Sequence, residues 1–320
     1  MIPSVAQHSP SFTAMHLTRR TFLLRTSGLV LTAWLSPSLL RAAPVSNSSM
    51  HRIGMGTVLF RTRFPQTAPK NSDTTPDLRL LDVPRYYRDR FNISQVEFWS
   101  YHFESLDRDY LEAVRARLDA AGSTLINIQV DTRYNLADSD ADQRRASIDE
   151  AKRWIDAAAF LRSAAIRINP GNGPIEHSIA SLREVNAHAK SKNLPLLTEN
   201  HFGIEMDPDV HLRLRAEAGP ENLYTLPDFG NYPDETRFAA LAKILPHAYL
   251  ISAKAADFTV RDDGSLEHTS FDFDRCVQMA ERAGFKGIYS VEQWTRHPPP
   301  VDFEKVADWL IARVQANLRA

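Results

Sequence analysis

From residue 51 to the C-terminus, apolar strand-like segments alternate with amphipathic helical patterns, and this alternation constrains the chain more than any other feature. The strand segments are HRIGMGTVLF, ISQVEFW, STLINIQVD, AAIRINPG, LPLLTENH, LYTLPDFGN, AYLISAKAADF and GIYSVEQW. Seven helical patterns follow or separate them, from LDRDYLEAVRARLDAAG to FEKVADWLIARVQANL, each with apolar residues near the 3.6-residue period. Residues 61 to 77 read as a long loop. Gly122 and Gly284 sit where helices would end, and Asp207-Pro208 and Ser105 or Asp107 where helices would begin. Strands that alternate with helices make parallel βα units, and eight such units close into a (β/α)8 barrel. The roughly 270 residues after position 50 suit a single domain of that fold, typically about 250 residues. An open doubly wound sheet would carry a glycine-rich phosphate turn, and the chain has neither GxGxxG nor GxxxxGK[ST].

The first 43 residues read differently. Arg19-Arg20, an apolar run around Leu29 to Leu35 and small residues at Ala42-Ala43 follow the order of a cleavable export signal, and TRRTFL resembles a twin-arginine signal. The expectation is a periplasmic protein with a flexible mature start at residues 44–50, a barrel at 51–320 and no stable membrane span after processing. A net charge of −1 gives no basic surface for nucleic acid. The single cysteine, Cys276, reads as a packing residue on a helix.

In a (β/α)8 barrel the site lies at the C-terminal ends of the strands, so inward-facing polar residues there converge. Period-two alternation points Glu97 inward from the second strand, Asn127 and Gln129 from the third, and Arg167 and Asn169 from the fourth. The fifth offers Glu199 and His201, the sixth Asp228, the seventh Ser252 and Lys254, and the eighth Glu292. Three carboxylates in one low-dielectric mouth must be protonated, paired with cations or bound to metal. Lys254 neutralises one. A divalent cation such as Mg, Mn or Zn, held by Glu199, Asp228 and Glu292 with an imidazole, is one solution; a metal-free network around Lys254 and Arg167 is the other.

With VEFW, LLTENH, PDFGN, SAKAADF and SVEQW in order on successive strands, the chain resembles the xylose-isomerase-like TIM barrels over about residues 52–318. That family includes sugar phosphate isomerases, sugar epimerases and endonuclease IV. The resemblance implies metal ligands at Glu199, Asp228 and Glu292, with Ser252 where many relatives carry a histidine. His201 is then the candidate nitrogen ligand. It further implies Glu199 and Glu292 as an acid/base pair and Lys254 as the group that polarises a substrate oxygen. The expected activity is isomerisation or epimerisation of a small carbohydrate. A lyase, a hydrolase or a non-catalytic carbohydrate-binding barrel is the alternative. Endonuclease IV chemistry ranks last, because it needs a histidine-rich cluster and a basic groove.

The remaining candidates are substrate contacts: Glu97, His102, Gln129, Arg167, Asn169, Ser252 and Trp294, with Trp99 and Phe202 as further rings able to stack on a sugar. His177, His188 and His211 lie on helical patterns and read as solvent-facing, and His247 precedes the seventh strand at the opposite end of the barrel.

Overall fold

A computed structural model describes residues 47–70, 75–294 and 302–318. The expected export signal at 1–43 lies outside them. The eight barrel strands are β1 (Ile53–Gly56), β2 (Gln95–Trp99), β3 (Thr124–Val130), β4 (Ile166–Ile168), β5 (Leu196–Glu199), β6 (Leu223–Leu226), β7 (Leu250–Ala255) and β10 (Ile288–Gln293). A helix follows each: α1 (Val83–Phe91), α2 (Arg108–Ala121), α3 (Ala141–Phe160), α4 (Ile175–Ser191), α5 (Pro208–Ala218), α6 (Arg237–Ile244), α7 (Phe273–Arg282) and α8 (Phe303–Asn317). The sheet order is β6-β5-β4-β3-β2-β1-β10-β7, all parallel. Two isolated parallel bridges, Thr225 to Ala248 and Asp228 to Ser252, join the outer strands β6 and β7. The ladder stops at Leu226 because Pro227 has no N–H to donate. Its carbonyl still accepts from Ser252 N at 3.0 Å, so the sheet nearly closes into the expected barrel.

Five local readings change. Asn47–Arg52 form a 3-10 helix and Met50 packs on the core, so residues 47–50 belong with the barrel rather than with a flexible start. The loop expected at 61–77 begins inside a second 3-10 helix, Thr57–Arg63. Helix α1 has no match among the helical patterns above, because its buried residues are Val83, Pro84, Tyr87 and Phe91, about one apolar side chain per turn after a proline and set among arginines. After β7, an antiparallel hairpin of β8 (Phe258–Val260) and β9 (Leu266–His268) replaces the single long strand. His211, expected to face solvent, is fully buried, with Nε2 at 2.9 Å from Thr198 Oγ1. The caps behave as expected at Asp207, whose side chain accepts from Asp209 and Val210 N, and at Gly122, which takes the left-handed φ of 60°.

Strand alternation builds the interior in layers. At the bottom, Ile126, Leu197, Leu226 and Leu250 form an apolar plug that Ile288 packs against. A bulge in β3 leaves Ile126 unpaired between Leu125 and Asn127, so it joins the plug while Asn127 also pairs at the level of Glu97. Two residues further along each strand lie Ser252 and Ser290, level with Glu97 and Asn127. Two further still come Lys254 and Glu292, joined by Glu199, which lies only two residues beyond Leu197, and by Gln129, whose Nε2 donates to Glu292. The polar layers thus rest on a dry floor.

Candidate active site

The C-terminal ends of the strands enclose a cavity of about 640 Å³, lined by Gln129, Asp131, Arg167, Glu199, Asn231, Lys254 and Glu292, with Trp99, Tyr101, Phe202 and Trp294 among the wall residues. Glu199, Asp228 and Glu292 are each at least 95% buried and present ligand atoms within 4.8 Å of one another. Their backbones fix this convergence. Asn169 Oδ1 accepts from Glu199 N at 2.9 Å, and Asn200 clamps Asp228 from both sides, accepting from its N–H and donating to its carbonyl. Gly230 and Asn231 N–H groups, at 2.7 and 3.0 Å, hold Asp228 Oδ1 and leave Oδ2 directed at Lys254.

The charges are unequal. Lys254 Nζ lies 2.7 Å from Asp228 Oδ2 and 3.6 Å from Glu292 Oε1, and it donates to Asn231 Oδ1. Arg167 forks onto Asp131 and places Nε 3.0 Å from Glu199 Oε2, a contact without an aligned hydrogen bond. Two buried cations therefore face Asp131, Glu199, Asp228 and Glu292, with Glu97 one layer below. Burial raises the pKa of Glu199 well above the carboxylate range against the pull of Arg167, and Asp228 raises it further. Burial also raises Glu292, opposed by Lys254 and by Gln129 Nε2, which donates at 3.1 Å. Burial works against the charge of Lys254, but Asp228, Glu292 and Glu199 outweigh it and raise its pKa. Asp131 resists burial through Arg167 and is held at about 2.

This donor set fits a divalent cation. Three buried carboxylates lie close enough to share one ion, and Glu199 Oε2 lacks an aligned hydrogen bond. Ser252 is fully buried in the layer below, and its Oγ likewise has no aligned hydrogen bond.

Several expected residues sit elsewhere. His201 lines the cavity but is not one of the three side chains whose ligand atoms meet. Strand β5 ends at Glu199, and the chain bends through Asn200 and His201, so the alternation that put both side chains on one face no longer applies. Burial and Arg167 push its imidazole down to about 4, leaving it neutral. His102 does not reach the cavity. It is fully buried, bridges Thr57 and Thr67 hydroxyls at 2.9 Å each and stacks on Phe64 at 3.6 Å. Glu97 is likewise sealed, accepting from Asn127 Nδ2 at 2.7 Å and from Ser290 Oγ. Ser252 is not among the lining residues, and Asn169 faces a smaller neighbouring cavity of about 150 Å³. Gln129, Arg167, Lys254, Glu292 and Trp294 line the main cavity as expected. Sequence reading missed Asp131, the residue just past β3, and Asn231, whose Nδ2 reaches Glu199 Oε1 at 3.3 Å. Each stands beyond a strand end, where alternation gives no signal, although the DFGN turn marks a backbone ready to hold a carboxylate.

Burial, with the charge of Glu292, pushes Glu97 up to about 7. An acid whose folded pKa exceeds its unfolded value weakens the fold as pH rises between the two, here from about 4.5 to about 7. Glu97→Gln is therefore expected to gain stability relative to the parent on going from pH 5 to pH 8, by up to ~3 kcal/mol. Paired urea titrations at the two pH values check this, and a pH-independent difference would refute it.

Fold and site together define a (β/α)8 barrel with a buried acidic triad able to hold a cation at the C-terminal ends of its strands. The chain belongs to the xylose isomerase-like TIM barrel family, whose profile matches residues 90–313. No curated protein matches it by sequence. Among solved structures it is similar to a xylose isomerase-like TIM barrel protein from Mycobacterium smegmatis in complex with magnesium. That pair shows 16% identity and a TM-score of 0.58, over 83% of this chain and 97% of the other. An L-ribulose 3-epimerase superposes at TM-score 0.63 with 13% identity, over 84% and 96% of the two chains. A 3-keto-D-glucoside 4-epimerase from E. coli superposes at 0.58 with 14% identity, over 82% and 99%.

Proposed function

We propose that the protein is an exported, metal-dependent isomerase or epimerase of a carbohydrate. The observation that carries this reading is the convergence of three buried carboxylates, with Glu199, Glu292 and Lys254 lining a 640 Å³ cavity and Asp228 sealed behind them against Lys254. Two of these carboxylates, on β5 and β10, approach the cavity from strands three places apart around the ring. One takes a proton from a substrate carbon while the other delivers one from the opposite side. Burial raises both above the ordinary carboxylate value, so each can hold a proton as well as release one. A cation held by the three acids would stabilise negative charge that develops on the substrate oxygens. Lys254 donates to a neighbouring oxygen, Gln129 orients Glu292, and the Asp131–Arg167 pair orients Glu199. The structural neighbours named as sugar epimerases support the same class.

The test uses the mature protein in D2O with a panel of aldoses and ketoses. Incorporation of deuterium at a carbon next to a carbonyl is expected, together with a rise in melting temperature on adding Mg or Mn and its reversal by EDTA. No exchange and no stabilisation by any divalent ion would exclude the proposal. Export rests on Arg19-Arg20 and the apolar run behind them. Replacing both arginines by lysine is expected to leave the unprocessed protein in the cytoplasmic fraction, and unchanged periplasmic recovery would count against that route.

A further inference from the structure

We propose that the mouth of the cavity is a subsite for a second sugar ring, so that the substrate is a glycoside rather than a free monosaccharide; this rests on the carbohydrate reading above. Among the described residues five large hydrophobic side chains are exposed, and three of them, Tyr101, Phe202 and Trp294, line this one cavity. Isolated exposed apolar residues need no explanation, whereas a cluster around a concave site marks a binding surface.

Two of these rings, Tyr101 and Trp294, are also held in place before any ligand arrives, through Trp99. Trp99 Nε1 donates to Asp131 Oδ2 at 2.7 Å, which ties one indole to the ion pair that orients Glu199. Trp294 meets Trp99 edge to face at 6.2 Å and carries the Arg61 guanidinium 4.2 Å from its own ring centre. Tyr101 stands edge-on to Trp99 at 4.9 Å. Fixing exposed aromatic rings lowers the entropy lost when a ligand docks on them.

These three rings follow β2 and β10, which flank β1, while Phe202 follows β5, four places round the ring from β1. Aromatic side chains thus line the cavity from opposite sides of the strand ring, above acids and amides from the strand ends. A glycoside matches that division. The reacting ring, the one that carries a keto group or a hemiacetal able to open to a carbonyl, presents its oxygens to these acids and amides, and the C–H faces of the second ring lie between the aromatic walls. A volume of 640 Å³ falls within the range of sites that enclose drug-sized ligands, larger than one six-carbon ring.

Tryptophan fluorescence titrations of the Mn-loaded protein test this, using glucose and galactose paired with cellobiose, maltose and lactose. At least one disaccharide is expected to bind tenfold or more tightly than its constituent monosaccharide. In Phe202→Ala and Tyr101→Ala that ratio should fall towards one, with the melting temperature retained. Equal affinity for both members of every pair, or a ratio that survives both substitutions, overturns the subsite and leaves the isomerase reading intact. Absence of binding by every sugar, with no deuterium exchange, removes both.

Discussion

Arg167→Met is expected to cost about 3–5 kcal/mol of folding stability, the penalty for breaking a buried ion pair from one side. The guanidinium is 1% exposed and faces two carboxylates, Asp131 through a two-pronged contact and Glu199 at 3.0 Å. Methionine fills much of the same space but leaves both acids uncompensated. Urea denaturation at pH 7 measures the loss. Asp131→Asn added to Arg167→Met should recover part of it by removing one stranded charge. A single-variant loss below about 1 kcal/mol, the range of exposed pairs, would show that water reaches this side of the site freely.

Glu199→Gln and Glu292→Gln should each reduce deuterium exchange about 10²–10⁴-fold, the usual contribution of a positioned acid or base. Neither change should weaken the fold, because each removes one of several crowded like charges. Both carboxylates have pKa values raised by burial and by Asp228, so the amide is the less demanding occupant. Stability that holds or rises while exchange collapses separates chemistry from architecture. Activity within tenfold of the parent in both variants would remove these residues from the proton path.

Much of this arrangement is legible in the amino-acid order, for a physical reason. The strands are apolar on the helix-facing side and change to acids, amides and lysine at their ends, so period-two alternation places Gln129, Arg167, Glu199, Lys254 and Glu292 in the cavity together. What escapes it depends on where alternation ends. His201 comes after a bend, Asp131 and Asn231 lie just beyond their strands, and His102 sits in a 3-10 turn whose burial depends on Thr57, Phe64 and Thr67. Glu97 shows a second limit. Its inward direction follows from strand phase, but its depth does not, and one layer separates a lining residue from a sealed one.

The junction between β6 and β7 makes one residue answer to two masters. Asp228 bridges to Ser252 where Pro227 interrupts the ladder, and its side chain faces Lys254 within the acidic triad. The bridge itself is made by Pro227 O and Phe229 N, which Asp228→Ala leaves in place, but the side chain also holds the Gly230 and Asn231 N–H groups, so that variant loosens the turn above the junction as well as removing a carboxylate. Glu199 and Glu292 stand on strands joined by continuous ladders, so their amide variants change a carboxylate without touching the junction.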